Sequence, residues 1–211
     1  MIEKKTTIVF MGDSITEGQY VEHALRWTDL VAARALKEMP DRVLHFHNRG
    51  ISGETTRQGL ERFPRDVQEM HPDVMTLQFG LNDCNHWDTD KGLPRVSEAA
   101  YRANMIEMIA RARNFGAREI ILSTNHVTLR TMPLSSGKSL EEHRKRYNEI
   151  VREIAKETGV TFCEMEAHFM GFNSAELAEM LLPEPDLLHL SPKGHAYYAD
   201  IIYPYIKKAI G

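Results

Sequence analysis

Four short stretches of this chain hold residue types that together can break an acyl bond. Ser14 stands in Gly12-Asp13-Ser14, directly after an apolar run. A serine hydroxyl is a weak nucleophile without a base, and Ser14 by itself reads equally well as a helix cap. Asp186-Leu187-Leu188-His189 places a carboxylate three positions before an imidazole. In that spacing Asp186 can hold one ring nitrogen while the other faces a nucleophile; alone, it also fits an acidic helix start beside a surface histidine. Gly53, in Arg49–Thr55, allows a backbone N–H to approach a substrate closely. Asn82, in Gly80-Leu81-Asn82-Asp83, carries an amide that can donate to an oxyanion. Taken singly, both also fit ordinary turns.

The elements that would position these residues are legible from hydrophobic spacing. Apolar runs predict strands at Thr6–Met11, Arg42–His47, Asp73–Phe79, Glu119–Ser123 and Val160–Cys163. Between them, helical spacing predicts helices at Trp27–Lys37, Thr55–Phe63, Val96–Phe115 and Leu140–Glu157. A last helix, Lys193–Lys208, is opened by Pro192. This alternation predicts an α/β fold, a parallel sheet with helices on both faces. Ligands of such sheets sit beyond the carboxyl ends of the strands. The stretches carrying Ser14, Gly53 and Asn82 all fall there.

Taken together, the order Ser, Gly, Asn, Asp-His is far more specific than any member alone. The chain resembles the SGNH, or GDSL, hydrolases through GDSITEG at 12–18, NRGISGETT at 48–56, GLND at 80–83 and DLLHLSPKGH at 186–195. The resemblance implies a three-layer α/β/α sandwich with a five-stranded parallel sheet of flavodoxin-like order 2-1-3-4-5. It implies ester hydrolysis through a covalent acyl-enzyme, with no metal or other cofactor. It makes Ser14 the nucleophile, His189 the general base and then acid, and Asp186 its orienting carboxylate. Ser14, Gly53 and Asn82 would line the oxyanion hole. The GxSxG turn of the other common serine-hydrolase fold is absent around Ser14.

Asp13, His86, Trp87 and Arg130 are the candidates for contacting substrate. Asp13 adjoins the serine, His86 and Trp87 follow Asn82, and Arg130 lies in a segment, 125–139, long enough for a lid or binding edge. Trp87 reads equally as a packing residue. His195 reads as support for the Asp186–His189 loop. His45 and His47 alternate along a strand with no further ligands at metal-binding spacing.

Composition narrows the classes. With 26 Lys and Arg against 30 Asp and Glu, the net charge of −4 gives no basic stripe for nucleic acid. The run Arg144-Lys145-Arg146 reads as a solvated helix face. No apolar stretch approaches the ~20 residues of a membrane span, and Ile8–Met11 is shorter than the ~7–15 apolar residues of a signal core. The two cysteines, Cys84 and Cys163, form no disulfide framework. The expectation is a cytoplasmic protein, one domain over residues 1–211, acting on a small-molecule acyl ester. Its surface helices are compatible with a homo-oligomer.

The preferred substrate class is a short acyl, foremost acetyl, ester of a carbohydrate or related metabolite. A lysophospholipase or acyl-thioesterase remains an alternative and would need an apolar channel. A non-catalytic flavodoxin-like module is a second alternative; it leaves Asp186, His189 and Asn82 without a role.

Overall fold

The computed structural model describes residues 5–211. In chain order the elements are β1 (Thr6–Gly12), α1 (Ser14–Glu17), α2 (Trp27–Glu38), β2 (Leu44–Gly50), α3 (Thr56–Asp66), β3 (Val74–Gln78), α4 (Glu98–Asn114), β4 (Glu119–Ser123), α5 (Leu140–Thr158), β5 (Thr161–Cys163), α6 (Met165–Met170), α7 (Ser174–Met180) and α8 (Pro192–Ile210). The five strands form one sheet of order β2-β1-β3-β4-β5, with every neighbouring pair parallel. The expected order 2-1-3-4-5 is therefore present.

β1 and β3 lie inside the sheet, and every residue of both is buried. That is why they read as continuous apolar runs. The chain runs from β1 to its neighbour on one side, then back across to β3 on the other. With right-handed crossovers this places α2 on one face and α3, α4 and α5 on the opposite face. Accordingly α2 packs with α8, while α3 packs with α4 and α4 with α5. The reversal between β1 and β3 opens a crevice at their carboxyl ends, where chain segments leave in opposite directions.

Several sequence expectations shift. β2 begins and ends later than Arg42–His47: its pairing with β1 continues to Gly12↔Gly50, so Asn48-Arg49-Gly50 is strand and not loop. A Cβ on Gly50 would lie 2.1 Å from the Glu17 amide nitrogen, which explains why glycine ends this edge strand under α1. α3 does not stop at Phe63 but carries Pro64 within it to Asp66. α6 and α7 fall in a stretch the hydrophobic spacing left unassigned, because each spans fewer than two turns or barely two. The Asn173 side chain accepts from the Ala175 and Glu176 N–H groups, with Glu176 returning to the Asn173 N–H, and that reciprocal cap marks the start of α7.

The basic run in α5 is a correction. Lys145 and Arg146 are exposed, but Arg144 is fully buried. It stands one helical turn from Leu140 and from Asn148 in the buried stripe. Its guanidinium is held by both Glu141 and Glu166 and donates to the Asn125 carbonyl at 3.0 Å. Burial without those partners would cost several kcal/mol; with them the charge is satisfied. His45 is exposed and His47 half-buried, as expected for an edge-strand face. Among the described residues, no group of three or more His, Cys, Asp or Glu is arranged to hold a metal ion, and no helix is long and apolar enough to cross a membrane.

Candidate active site

Asp13 ends the β1 crossing and caps α1: its Oδ1 accepts from the Ile15 N–H at 3.0 Å. Ser14 is thereby the first residue of α1, held at the carboxyl end of a central strand with its hydroxyl toward the crevice. His189 arrives from the far end of the chain. Its Nε2 lies 2.9 Å from Ser14 Oγ, and its Nδ1 lies 2.6 Å from Asp186 Oδ2. Asp186 Oδ1 accepts from the Leu188 N–H at 2.9 Å and the His189 N–H at 2.6 Å. Burial pushes the Asp186 carboxyl up. The hydrogen bonds from the His189 backbone and ring and from the Leu188 backbone outweigh it and hold the carboxyl below its ordinary value. Asp186 is thus an ionised acceptor that fixes the imidazole with Nδ1 protonated and Nε2 free to take a proton from Ser14.

Gly53 takes a φ of +77°, where a Cβ is disfavoured, on the loop that follows β2. Its carbonyl accepts from Arg95 Nη1 at 3.0 Å, and Asn82 Nδ2 donates to the adjoining Glu54 carbonyl at 3.0 Å. The Asn82 amide has a second N–H, and both residues line the crevice beside Ser14. Asp83 secures the two loops to each other: its Oδ1 accepts from the Thr56 N–H at 2.9 Å and the Thr56 hydroxyl at 2.5 Å. The crevice encloses about 260 Å³ and is lined by Ser14, Gln19, Ser52, Gly53, Leu81, Asn82, Asn85, Arg130, Leu188 and His189. Tyr20 stands edge-on to the His189 ring at 5.3 Å.

This arrangement, a hydroxyl hydrogen-bonded to an imidazole–carboxylate pair in a crevice lined by Gly53 and Asn82, fits acyl transfer. The GDSL-like lipase/acylhydrolase family model matches residues 10–197. The chain belongs to this family. An acetylxylan esterase of Geobacillus stearothermophilus is 26% identical over 91% of this chain and 90% of that protein. An uncharacterized lipoprotein, YqeF, of Bacillus subtilis is 25% identical over 93% of this chain and 86% of its own. The solved lipase/acylhydrolase of Enterococcus faecalis superposes with a TM-score of 0.77 at 25% identity, covering 98% and 97% of the two chains. This GDSL-family chain is a carboxylic ester hydrolase, and the flavodoxin-like binding module is set aside.

Among the sequence candidates, the crevice of this GDSL protein gathers Ser14, Gly53, Asn82, Arg130, Asp186 and His189 in one place. It does not gather the other three substrate candidates. Asp13 is fully buried behind the serine, drawn under α1 by its capping bond. His86 is buried against the His143 ring at 4.0 Å, away from the lining. Trp87 is exposed, with the Arg95 guanidinium 4.2 Å above its ring. Capping, ring packing and a cation–π contact account for where these three side chains stand. His195 is buried in the first turn of α8. Its Nδ1 accepts from the Trp27 N–H at 3.2 Å and joins α8 to α2. Gln19, Ser52 and Leu188 were missed, because nothing in their types or spacing marks a cleft wall.

Asp13 has a measurable thermodynamic signature. Burial, with Asp83 nearby, raises its carboxyl to about 7, and burial raises Asp83 to about 6. Asp13 binds its proton more tightly in the folded chain than in the unfolded one. Stability is therefore fully present below the unfolded value of 3.8 and falls as pH rises towards about 7. Asp13→Asn keeps the cap on Ile15 and abolishes the titration. Its melting temperature is expected to exceed that of the parent by on the order of 5 °C at pH 8 and to match it at pH 4. Calorimetry at the two pH values checks this; an equal difference at both would refute the buried-acid account.

Proposed function

We propose that the chain is a serine esterase that removes short acyl groups, foremost acetyl, from a polar alcohol such as a carbohydrate. The observation that carries this is the unbroken chain from Asp186 through His189 to Ser14 at the floor of a small crevice with largely polar walls. Ser14 Oγ attacks the ester carbonyl while His189 Nε2 takes its proton. The oxyanion is met by the Ser14 and Gly53 N–H groups and the free Asn82 N–H. Each such donor contributes about 10²–10³ in rate. The C–O bond to the alcohol breaks, and the proton on His189 leaves with the alkoxide. Water, deprotonated by His189, then attacks the acyl-enzyme, releasing the acid and restoring Ser14.

Two features support the short acyl chain. Leu81 and Leu188 are the apolar side chains on the wall, facing Gln19, Ser52, Asn82, Asn85 and Arg130. That leaves little apolar surface for a fatty chain and several partners for hydroxyl groups. Two relatives point the same way by name: the acetylxylan esterase and a human isoamyl acetate-hydrolyzing esterase 1 homolog, 26% identical over 96% of this chain.

The test is hydrolysis of p-nitrophenyl esters from acetate to octanoate, followed by acetylated sugars. The expected result is kcat/KM highest for acetate and falling by about tenfold or more by octanoate, as each added methylene finds no wall to bury against. A rate that rises with chain length would replace this reading with the lysophospholipase or thioesterase one.

A further inference from the structure

The loop that carries Asp186 and His189 is not held by its own hydrogen bonds alone. The segment that follows β4 takes three consecutive carbonyls of it. Arg130 Nε donates to the Asp186 carbonyl at 2.6 Å, the Leu129 N–H to the Leu187 carbonyl at 2.9 Å, and the His126 ring to the Leu188 carbonyl at 2.8 Å. Between the two side-chain bonds sits Leu187, whose φ of +56° is a conformation a leucine rarely adopts. A loop in that state stays in place only when its surroundings over-determine it.

The gripping segment is itself anchored in the core. Asn125, beside His126, exchanges bonds with Asn148 in both directions, and its carbonyl also accepts from buried Arg144. Thr128 donates from backbone and hydroxyl to Glu141, the carboxylate that Arg144 holds. His126 is fully buried, with its ring 5.3 Å from that of Phe169. A carbonyl can only accept, so His126 Nε2 bears the proton. Burial lowers the ring to about 3, so it stays neutral while the enzyme works.

We infer that His126 is a positioning residue for the reaction, assisted by Arg130: through the Leu188 and Asp186 carbonyls they fix His189 in line with Ser14. This inference rests on the reading of Ser14, His189 and Asp186 as the reacting set. His126 touches neither substrate nor the reacting atoms. Its effect passes through the backbone on either side of Leu187, and a displacement of about 1 Å at His189 is enough to cost orders of magnitude in rate.

The experiment compares His126→Phe, which keeps a ring and loses the donor, with His126→Gln, which restores a donor near Nε2. Rates on p-nitrophenyl acetate are expressed per titrated active serine, so that a loss of folded protein does not count. The expected result for His126→Phe is a kcat lower by about tenfold or more with KM within about twofold, because His189 serves both halves of the reaction. Inactivation by a fluorophosphonate slows in parallel, and His126→Gln recovers most of both rates. A merely structural role would lower the melting temperature and the number of active sites while leaving the rate per site unchanged; that outcome overturns the inference.

Should His126→Phe fail to fold, Arg130→Met carries the test, since that side chain stands at the half-exposed rim. A fall in its kcat with KM for p-nitrophenyl acetate, which has no hydroxyl groups to contact, within about twofold supports the inference, and an unchanged kcat refutes it. Ser14→Ala separates the two levels. If it keeps wild-type activity, the reading of the reacting set fails. If it is inactive while His126→Phe and Arg130→Met behave as wild type, the positioning inference alone fails.

Discussion

Ser14→Ala is expected to lower kcat/KM on p-nitrophenyl acetate by about 10⁴-fold or more, leaving only what binding and the oxyanion donors supply. The argument is geometric. One hydroxyl in the crevice lies 2.9 Å from an imidazole nitrogen whose opposite nitrogen is tied to an ionised carboxylate. Ser52, the other hydroxyl in the lining, is committed elsewhere: its Oγ and its N–H both donate to Glu17, at 2.5 and 2.6 Å. It offers no substitute nucleophile. Asp13, not Ser14, caps α1, so alanine at this first helical position costs little in stability, and a folding defect would not explain a loss of this size. Burst kinetics with p-nitrophenyl acetate provide the check. The parent should release one equivalent of nitrophenol ahead of steady state wherever deacylation is slower than acylation, and the variant none. Residual activity above one hundredth of the parent would remove Ser14 from the nucleophile's place.

Asp186→Asn is the second large effect, expected at about 10⁴-fold in kcat. Asparagine keeps the size and can still accept from the Leu188 and His189 N–H groups, which now meet Asp186 Oδ1. The change falls on Oδ2, which accepts from His189 Nδ1. An amide N–H at that place favours the tautomer with the proton on Nε2, and that nitrogen then has no lone pair for the Ser14 proton. The fold should persist while the rate collapses. Because its hydrogen bonds hold the Asp186 carboxyl below its ordinary value despite burial, the defect should be of similar size across the neutral and mildly acidic range. Steady-state rates at several pH values, with melting curves as control, decide it. A loss of less than tenfold would show that orientation by Asp186 matters little.

The sheet and the four chemical stretches were legible because both leave local traces. β1 and β3 are buried on both faces and read as apolar runs, and glycine, asparagine and serine stand where turns leave them. What the residues could not show was direction. Asp13 neighbours the serine in sequence, yet the cap on Ile15 turns its side chain inward. Trp87 follows Asn82 closely, yet it packs beneath Arg95. Adjacency along the chain does not fix which side of a turn a side chain takes. Arg144 was hidden by its neighbours: three basic residues in a row resemble a solvated face, whereas the stripe repeating every four residues puts the first of them inside. The carbonyl grip was illegible for a different reason, since two of its three acceptors belong to leucines and backbone acceptors are the same whatever the side chain.

One consequence concerns assembly in time. The serine and its base stand 175 residues apart, and α8, which follows the base, seats against α2 through the bond from Trp27 to His195. A growing chain therefore carries Ser14 long before His189 is added. Such distant contacts close late because the intervening chain must first be ordered. The contact between Ser14 and His189 therefore requires the chain to be present as far as the loop before α8.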